Sequence, residues 1–222
     1  MSKLMWDAIG EKTYETGLSK GVLYNQVDGA YPKGVVWNGL INVNEAPGGA
    51  EPNDLWADDI KYASLRSAET YGCTIEAYTY PDEFGKCDGS EEPVTGVKLN
   101  QQNRESFGFS YVTKKGNDQN PEAGYVIHLV YGASANPSQK SRNTMNETPE
   151  AVTMSWEVTT IPVPVDGFKP VSTLEIDSTK VDAEKLKAFE AIIWGSDDKE
   201  AMLPLPDAVL THFGYTKPAS AA

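Results

Sequence analysis

Two histidines, two cysteines and a scatter of serines are the side chains from which this 222-residue sequence would have to build a metal or nucleophilic centre. A zinc site needs four nitrogen, sulfur or carboxylate ligands, usually in closely spaced pairs. Cys73 and Cys87 stand apart with no histidine or second cysteine pair beside them. His128 sits mid-strand in the apolar run Tyr125 to Tyr131, where an imidazole is held by a neighbour or turned to a polar face. His212 lies near the C-terminal end without ligand-type neighbours. The stretch Pro81-Asp82-Glu83-Phe84-Gly85-Lys86-Cys87-Asp88-Gly89 holds three carboxylates, yet lacks the alternating ligands and closing Glu of an EF-hand, so an acidic turn is expected. Ser67, Ser134 and Ser172 have no nucleophile-elbow motif around them. Neither a phosphate-binding G-x-x-x-x-G-K-[ST] nor a dinucleotide G-x-G-x-x-G occurs. In a chain with 32 Asp and Glu, carboxylate pairs arise by chance, and a glycosidase pair is not legible from sequence. The expectation is a non-enzyme with no catalytic residue, cofactor or metal.

The elements that must carry any function read as mainly β. Nineteen Gly and 14 Pro punctuate short alternating runs, as in an antiparallel β protein. Gly34 to Val43 places Val35, Trp37, Ile41 and Val43 on one face. Cys73 to Tyr80 turns Ile75 and Ala77 one way and Glu76 the other. Ser106 to Val112 alternates Phe107, Phe109 and Tyr111 with Ser106, Gly108 and Ser110. Tyr125 to Tyr131 is apolar on both faces apart from His128 and reads as a central strand. Thr153 to Thr159 alternates Met154, Trp156 and Val158 with Thr153, Ser155, Glu157 and Thr159, and Thr173 to Asp177 alternates Leu174 and Ile176 with Thr173, Glu175 and Asp177. Pro162 and Pro164 make Ile161 to Val165 an edge or a connector. One helix is expected over Ala183 to Trp194, with Asp182 as N-cap and Gly195 as its end, and a shorter one after Pro206. Lys217 to Ala222 reads as a frayed tail.

Asn44 to Asp59 and Asn136 to Pro149 read as long loops, which are uncommon unless they do something. The first carries Leu55 and Trp56 among acidic residues. An apolar pair on a polar loop suits either a docking segment or a fold-back onto its own core. The net charge of −13 argues against wrapping nucleic acid, keeps the chain soluble and makes copies repel one another. No run is long and apolar enough for a membrane helix, and the first residues lack the apolar stretch of a secretory signal, so a cytosolic chain with free cysteines is expected.

Several segments together resemble the major tail proteins of phages with long non-contractile tails, of the kind found in Gram-positive hosts. They are Gly21-Val22-Leu23-Tyr24, Gly34 to Leu40, Thr74 to Phe84, Gln101 to Tyr111 followed by Gly116-Asn117-Asp118, and Tyr125 to Ala133. Thr148-Pro149-Glu150-Ala151 leading to Ser155-Trp156-Glu157, Pro170 to Leu174 and Ile176-Asp177-Ser178 continue the series. No single motif is a chemical fingerprint; their order and spacing over Gly21 to Phe213 carry the likeness.

The resemblance implies an antiparallel β-sandwich or barrel of the tail tube type with one flanking helix. It divides the chain into an N-terminal arm (1–20), a β domain (21–195, with the helix near 183–194) and a C-terminal arm (196–222). It implies hexameric rings stacked into a hollow virion tube, assembled in the host cytoplasm with tape-measure, tail terminator and distal tail proteins, through which DNA passes without specific binding. A loop would bridge rings, here through Leu55, Trp56, Asp58 and Asp59. Thr153, Ser155, Glu157, Thr159, Glu175 and Asp177 are candidates for the lumen wall, though the same polar faces could point outward. The inner tubes of contractile tails and secretion machines would use the same fold. A cell-surface or glycan-binding β-sandwich, with Trp56 and Tyr62 in an aromatic platform, is the alternative from another class, and a glycosidase is the least favoured.

Overall fold

The computed structural model describes residues 4–138, 140–142, 144 and 151–217. It is mainly β with few helices. The strands are β1 (Thr13–Asn25), β2 (Gly34–Trp37), β3 (Leu40–Glu45), β4 (Gly48–Gly49), β5 (Pro52–Ala57), β6 (Ile60–Arg66), β7 (Glu69–Thr70) and β8 (Gly72–Ala77). A short helix α1 (Phe84–Cys87) precedes β9 (Ser90–Val94), β10 (Val97–Asn100), β11 (Phe107–Asn117), β12 (Gly124–Ala135), β13 (Met154–Thr160) and β14 (Thr173–Asp177). Helices α2 (Ala183–Ile193) and α3 (Pro206–His212) follow. One antiparallel sheet runs β2-β1-β11-β12-β13-β8-β3, with β14 also paired to β12.

That order puts two consecutive strands, β2 and β3, at opposite ends of the sheet. Only Asn38 and Gly39 join them, so the sheet has to curl until its ends meet. A Cβ on Gly21 of β1 would fall 2.2 Å from Leu40 Cδ1 of β3, which shows how closely the ends approach. The result is an incomplete barrel around aromatic rings. Trp37, Phe84, Phe107 and Trp156 pack with centroids 4.5–5.7 Å apart, mostly edge-on, the arrangement favoured by ring quadrupoles. The acidic turn of the sequence reading contains α1, which delivers Phe84 into this core.

The break at Asn38-Gly39 corrects the expectation of one continuous strand over Gly34 to Val43. A register shift between Leu40 and Asn42 follows it, so Leu40 and Val43 pack on the core while Ile41 is exposed. A second correction concerns β11. Ser106, Gly108 and Ser110 were expected on a polar face, but Gly108 and Ser110 are buried. A Cβ on Gly108 would meet Leu203 Cδ2 at 2.6 Å, and Ser110 Oγ lies 3.2 Å from the Tyr24 hydroxyl. Their face is covered by a second layer, built from α2, α3 and Leu203 against Tyr24, Ile127, Leu129, Tyr131 and Ile176. Small residues there admit the helical layer.

β12 is buried on both faces from Val126 to Ala133, as a central strand should be. At Gly132 (φ +58) a Cβ would fall 2.1 Å from the Ile161 carbonyl oxygen. The register jumps beside it, from Phe109↔Val130 to Phe107↔Ala133. Before the jump β12 pairs with β14, and after it with β13.

Helix α2 begins where the sequence places it. Asp182 accepts from Glu184 N (3.1 Å) and Lys185 N (3.0 Å), and the Tyr24 hydroxyl donates to the Ile193 carbonyl (2.6 Å) at the other end. Asp182→Ala is expected to cost about 1 kcal/mol, read as a lowered denaturation midpoint with an unchanged m-value.

Within the segments expected to be arms, Thr13 to Lys20 lie in β1, and Leu203 and Val209 are core residues of the helical layer. Lys217 is described, and the rest of the expected tail, residues 218–222, lies outside the described residues, as does part of the Asn136 to Pro149 loop.

Candidate assembly surface

The segment Asn44 to Asp59 is not a structureless loop. It holds the end of β3, β4 and β5, and β5 forms a self-contained two-stranded hairpin with β6. Asp58 (φ +51) and Asp59 (φ +60) make the turn, in the left-handed conformation that two-residue hairpins need and that Asp tolerates.

The register Asn53↔Leu65, Leu55↔Ala63, Trp56↔Lys61 and Ala57↔Ile60, with Tyr62 as the extra residue, sorts the side chains. Leu55, Ala57, Ile60, Ala63 and Leu65 share one face. Asp54, Trp56, Lys61 and Ser64 share the other, tied by a 2.8 Å Lys61–Asp54 ion pair. The apolar face is uncovered: Leu55 is 41%, Ile60 63% and Leu65 56% exposed, and Trp56 on the opposite face is 69% exposed. An isolated hairpin is marginal in water, so an uncovered apolar face on one calls for a partner surface.

The candidate wall residues divide into two sets. On β13, Trp156 and Val158 point into the aromatic core while Ser155, Glu157 and Thr159 point away. Their cross-strand neighbours are Glu76, Thr74 and Gly72 of β8, and beyond them Asn42 and Asn44 of β3. Hydroxyls, amides and the carboxylates of Glu76 and Glu157 make up this outward face, and none of these paired residues is Lys or Arg. Thr153 precedes the strand and is exposed.

Glu175 and Asp177 belong elsewhere. Glu175 lies opposite His128, on the side of β12 that carries Val130 toward the aromatic core. Thr159 lies opposite Ser134, on the reverse side from core-facing Ala135. The two sets therefore occupy opposite faces of the sheet, and Glu175 and Asp177 do not extend the Glu76–Glu157 surface.

Around Glu175 the charges are mixed. The His128 ring stacks on Tyr111 with centroids 4.6 Å apart, and its Nε2 lies 2.9 Å from Thr113 Oγ1. Glu15 and Glu175 lie 4.0 and 3.8 Å from its two nitrogens. Asp177 pairs with Lys115 and accepts from the Thr179 hydroxyl (2.6 Å) and amide (2.9 Å). Burial pushes the Asp177 carboxyl up, but the Lys115 ammonium and the Thr179 donors outweigh it and hold it well below the usual carboxylate range. A depressed carboxyl stabilises the fold above its unfolded pKa and loses that contribution as pH falls below about 4. Wild type should therefore lose denaturant resistance more steeply below that pH than Asp177→Asn; parallel curves would refute the linkage.

The other chemically suggestive residues are held structurally. His212 Nε2 lies 2.7 Å from the Lys185 carbonyl, and its ring packs on Phe189. Cys73 and Cys87 are free and buried, and burial pushes both thiols up to about 12. Asp88 in the acidic turn pairs with Lys140 and lies 3.5 Å from Arg104, which also donates to the Ala135 carbonyl (2.8 Å), so it fastens the segment after β12. Among the described residues no group of three or more His, Cys, Asp or Glu could hold a metal, and no helix is long and apolar enough to cross a membrane. No protein-family model and no curated protein matches the chain.

Proposed function

We propose that this chain is the structural subunit of a long-tailed phage's tail tube, closing as hexameric rings that stack into the conduit for the genome. The observation that carries the reading is the β5–β6 hairpin: a self-contained two-stranded element that begins in the segment expected to bridge rings and continues past it, with Leu55, Ile60 and Leu65 of its apolar face exposed. A head-to-tail contact of this kind generates a closed ring or an open stack, depending on whether its rotation closes. Tape-measure, terminator and distal tail proteins would set where the stack starts and ends.

The Glu76–Glu157 face supports the conduit. A phosphate backbone meeting carboxylates and hydroxyls has no cation to grip, and at physiological salt the repulsion reaches about 8 Å. Glu157→Lys is expected to leave tubes intact while slowing or trapping DNA during delivery, measured as genome release from assembled virions. Normal release would remove this face from the channel.

Negative-stain microscopy of concentrated protein, alone and with the other tail proteins, tests the reading: hollow tubes of uniform width are expected. Exposed Trp56 and Tyr62 favour a glycan-binding module as the second reading. Saturable sugar binding by a chain that never polymerises, even with those partners, would select it.

A further inference from the structure

Between the edge strand β2 and the C-terminal end of α2 lies a groove of about 360 Å³. Val22, Gly34, Val36, Trp194 and Ala201 line it, and Lys20 is its only charged residue among the described residues. Lys20 adopts a left-handed backbone (φ +52), uncommon for a side chain of its length, and its Nζ sits 3.8 Å from the Trp194 ring centroid. Gly34, Trp194 and Ala201 also border a neighbouring hollow that carries Lys33 and Lys199 alongside Asp197 and Glu200. In a chain of net charge −13, a groove charged only by a cation is the exception. Val36 on its rim is 63% exposed, and β2 pairs only with β1.

The β5–β6 hairpin is its complement. The tip is acidic, Asp58-Asp59, with Trp56 and the apolar pair Ala57 and Ile60 directly behind it. Tip and groove are both uncovered within the single chain.

We infer that the hairpin tip of one copy docks in the β2–α2 groove of a second copy, Trp56 and Ile60 against Val36 and Trp194, and Asp58 and Asp59 beside Lys20. This rests on the tube reading and names the surface that receives the hairpin. The contact is heterologous, since each copy offers a tip to one neighbour and a groove to another, as unlimited stacking requires. Neutralising the tip carboxylates against Lys20 also offsets, at the contact, the repulsion between acidic chains.

The test is a charge swap. Asp58→Lys with Asp59→Lys, and separately Lys20→Glu, should each raise the critical concentration for polymer about tenfold in pelleting assays. Combining them in one chain should bring it back to within about threefold of wild type. A companion measurement mixes Asp59→Cys chains with Val36→Cys chains under mild oxidation. A disulfide heterodimer well above either homodimer is expected, and the buried native thiols should not contribute. Hairpin reversal that impairs polymerisation without rescue, together with no heterodimer, overturns the groove as receptor and leaves the hairpin's role standing. Hairpin reversal that polymerises like wild type overturns both. Should the chain not polymerise alone, absence of the heterodimer at high concentration overturns the inference.

Discussion

Leu65→Asp is expected to leave the chain folded and to raise its critical concentration for polymer about a hundredfold or more. Leu65 lies on the apolar face of the hairpin, opposite Asn53, and is 56% exposed in the single chain. A substitution at so open a position, away from the core, should move stability by no more than about 0.5 kcal/mol. In an assembled contact the same aspartate would be a carboxylate forced out of water without a partner, opposing Leu55, Ile60 and Ala63 of its own face. Disrupting an interface hot spot costs about 2–4 kcal/mol, so if the apolar face above the tip also packs in the contact the critical concentration should rise about a hundredfold or more. Ser64→Thr, on the reverse face, should polymerise normally and serves as control. Equal critical concentrations for Leu65→Asp and wild type, at matched thermal midpoints, would remove the apolar face from assembly. That outcome would leave Trp56 and the acidic tip as the only parts of the hairpin still able to dock.

The parts of this fold legible in the sequence are those governed by local periodicity. Cys73 to Ala77 alternates in register with its burial, Met154 to Val158 sends Trp156 and Val158 inward, and α2 starts at the residue whose side chain caps it. What the sequence hid depends on distant partners. Gly108 and Ser110 look like a polar face because they are small; nothing local signals that Leu203 and Tyr31 will lie over Gly108. The β5–β6 hairpin was hidden for a different reason. Its turn is Asp-Asp rather than a Gly-containing pair, and its apolar residues are split by an extra residue at Tyr62, which breaks the alternation that marks a strand. Leu55 and Trp56 could still be singled out as an apolar pair in acidic surroundings. The signal missed was their continuation in Ile60, Tyr62 and Leu65 across the turn. Which polar faces share a surface was also illegible. Glu157 and Glu175 sit in similar alternating runs, and only the shift at Gly132, which gives β12 two successive partners, puts them on opposite sides of the sheet.

The largest loss of stability is expected from Trp156→Ala. Trp156 is fully buried, and its ring lies 5.2 Å from Phe84, 5.5 Å from Tyr80 and 5.7 Å from Trp37, so two other stretches of chain, at Trp37 and at Tyr80 to Phe84, converge on it. Removing an indole from such a site forfeits its transfer free energy and leaves a cavity that rigid rings fill poorly, about 3–5 kcal/mol in all. Its Nε1 has no hydrogen-bond partner among the described residues, so Trp156→Phe gives up no polar contact and should cost well under half as much. Denaturant unfolding of the two variants separates volume from polarity: similar losses for Phe and Ala would mean that the indole nitrogen matters after all. The consequence reaches the outer surface as well. Ser155, Glu157 and Thr159 face outward because Trp156 and Val158 anchor β13 inward, and a strand slipped by one residue would turn its apolar set out and its acidic set in. A Trp156→Ala chain that still folds at low temperature should therefore show faster amide exchange along β13 than along β11, where the core contacts of Phe107 and Phe109 remain.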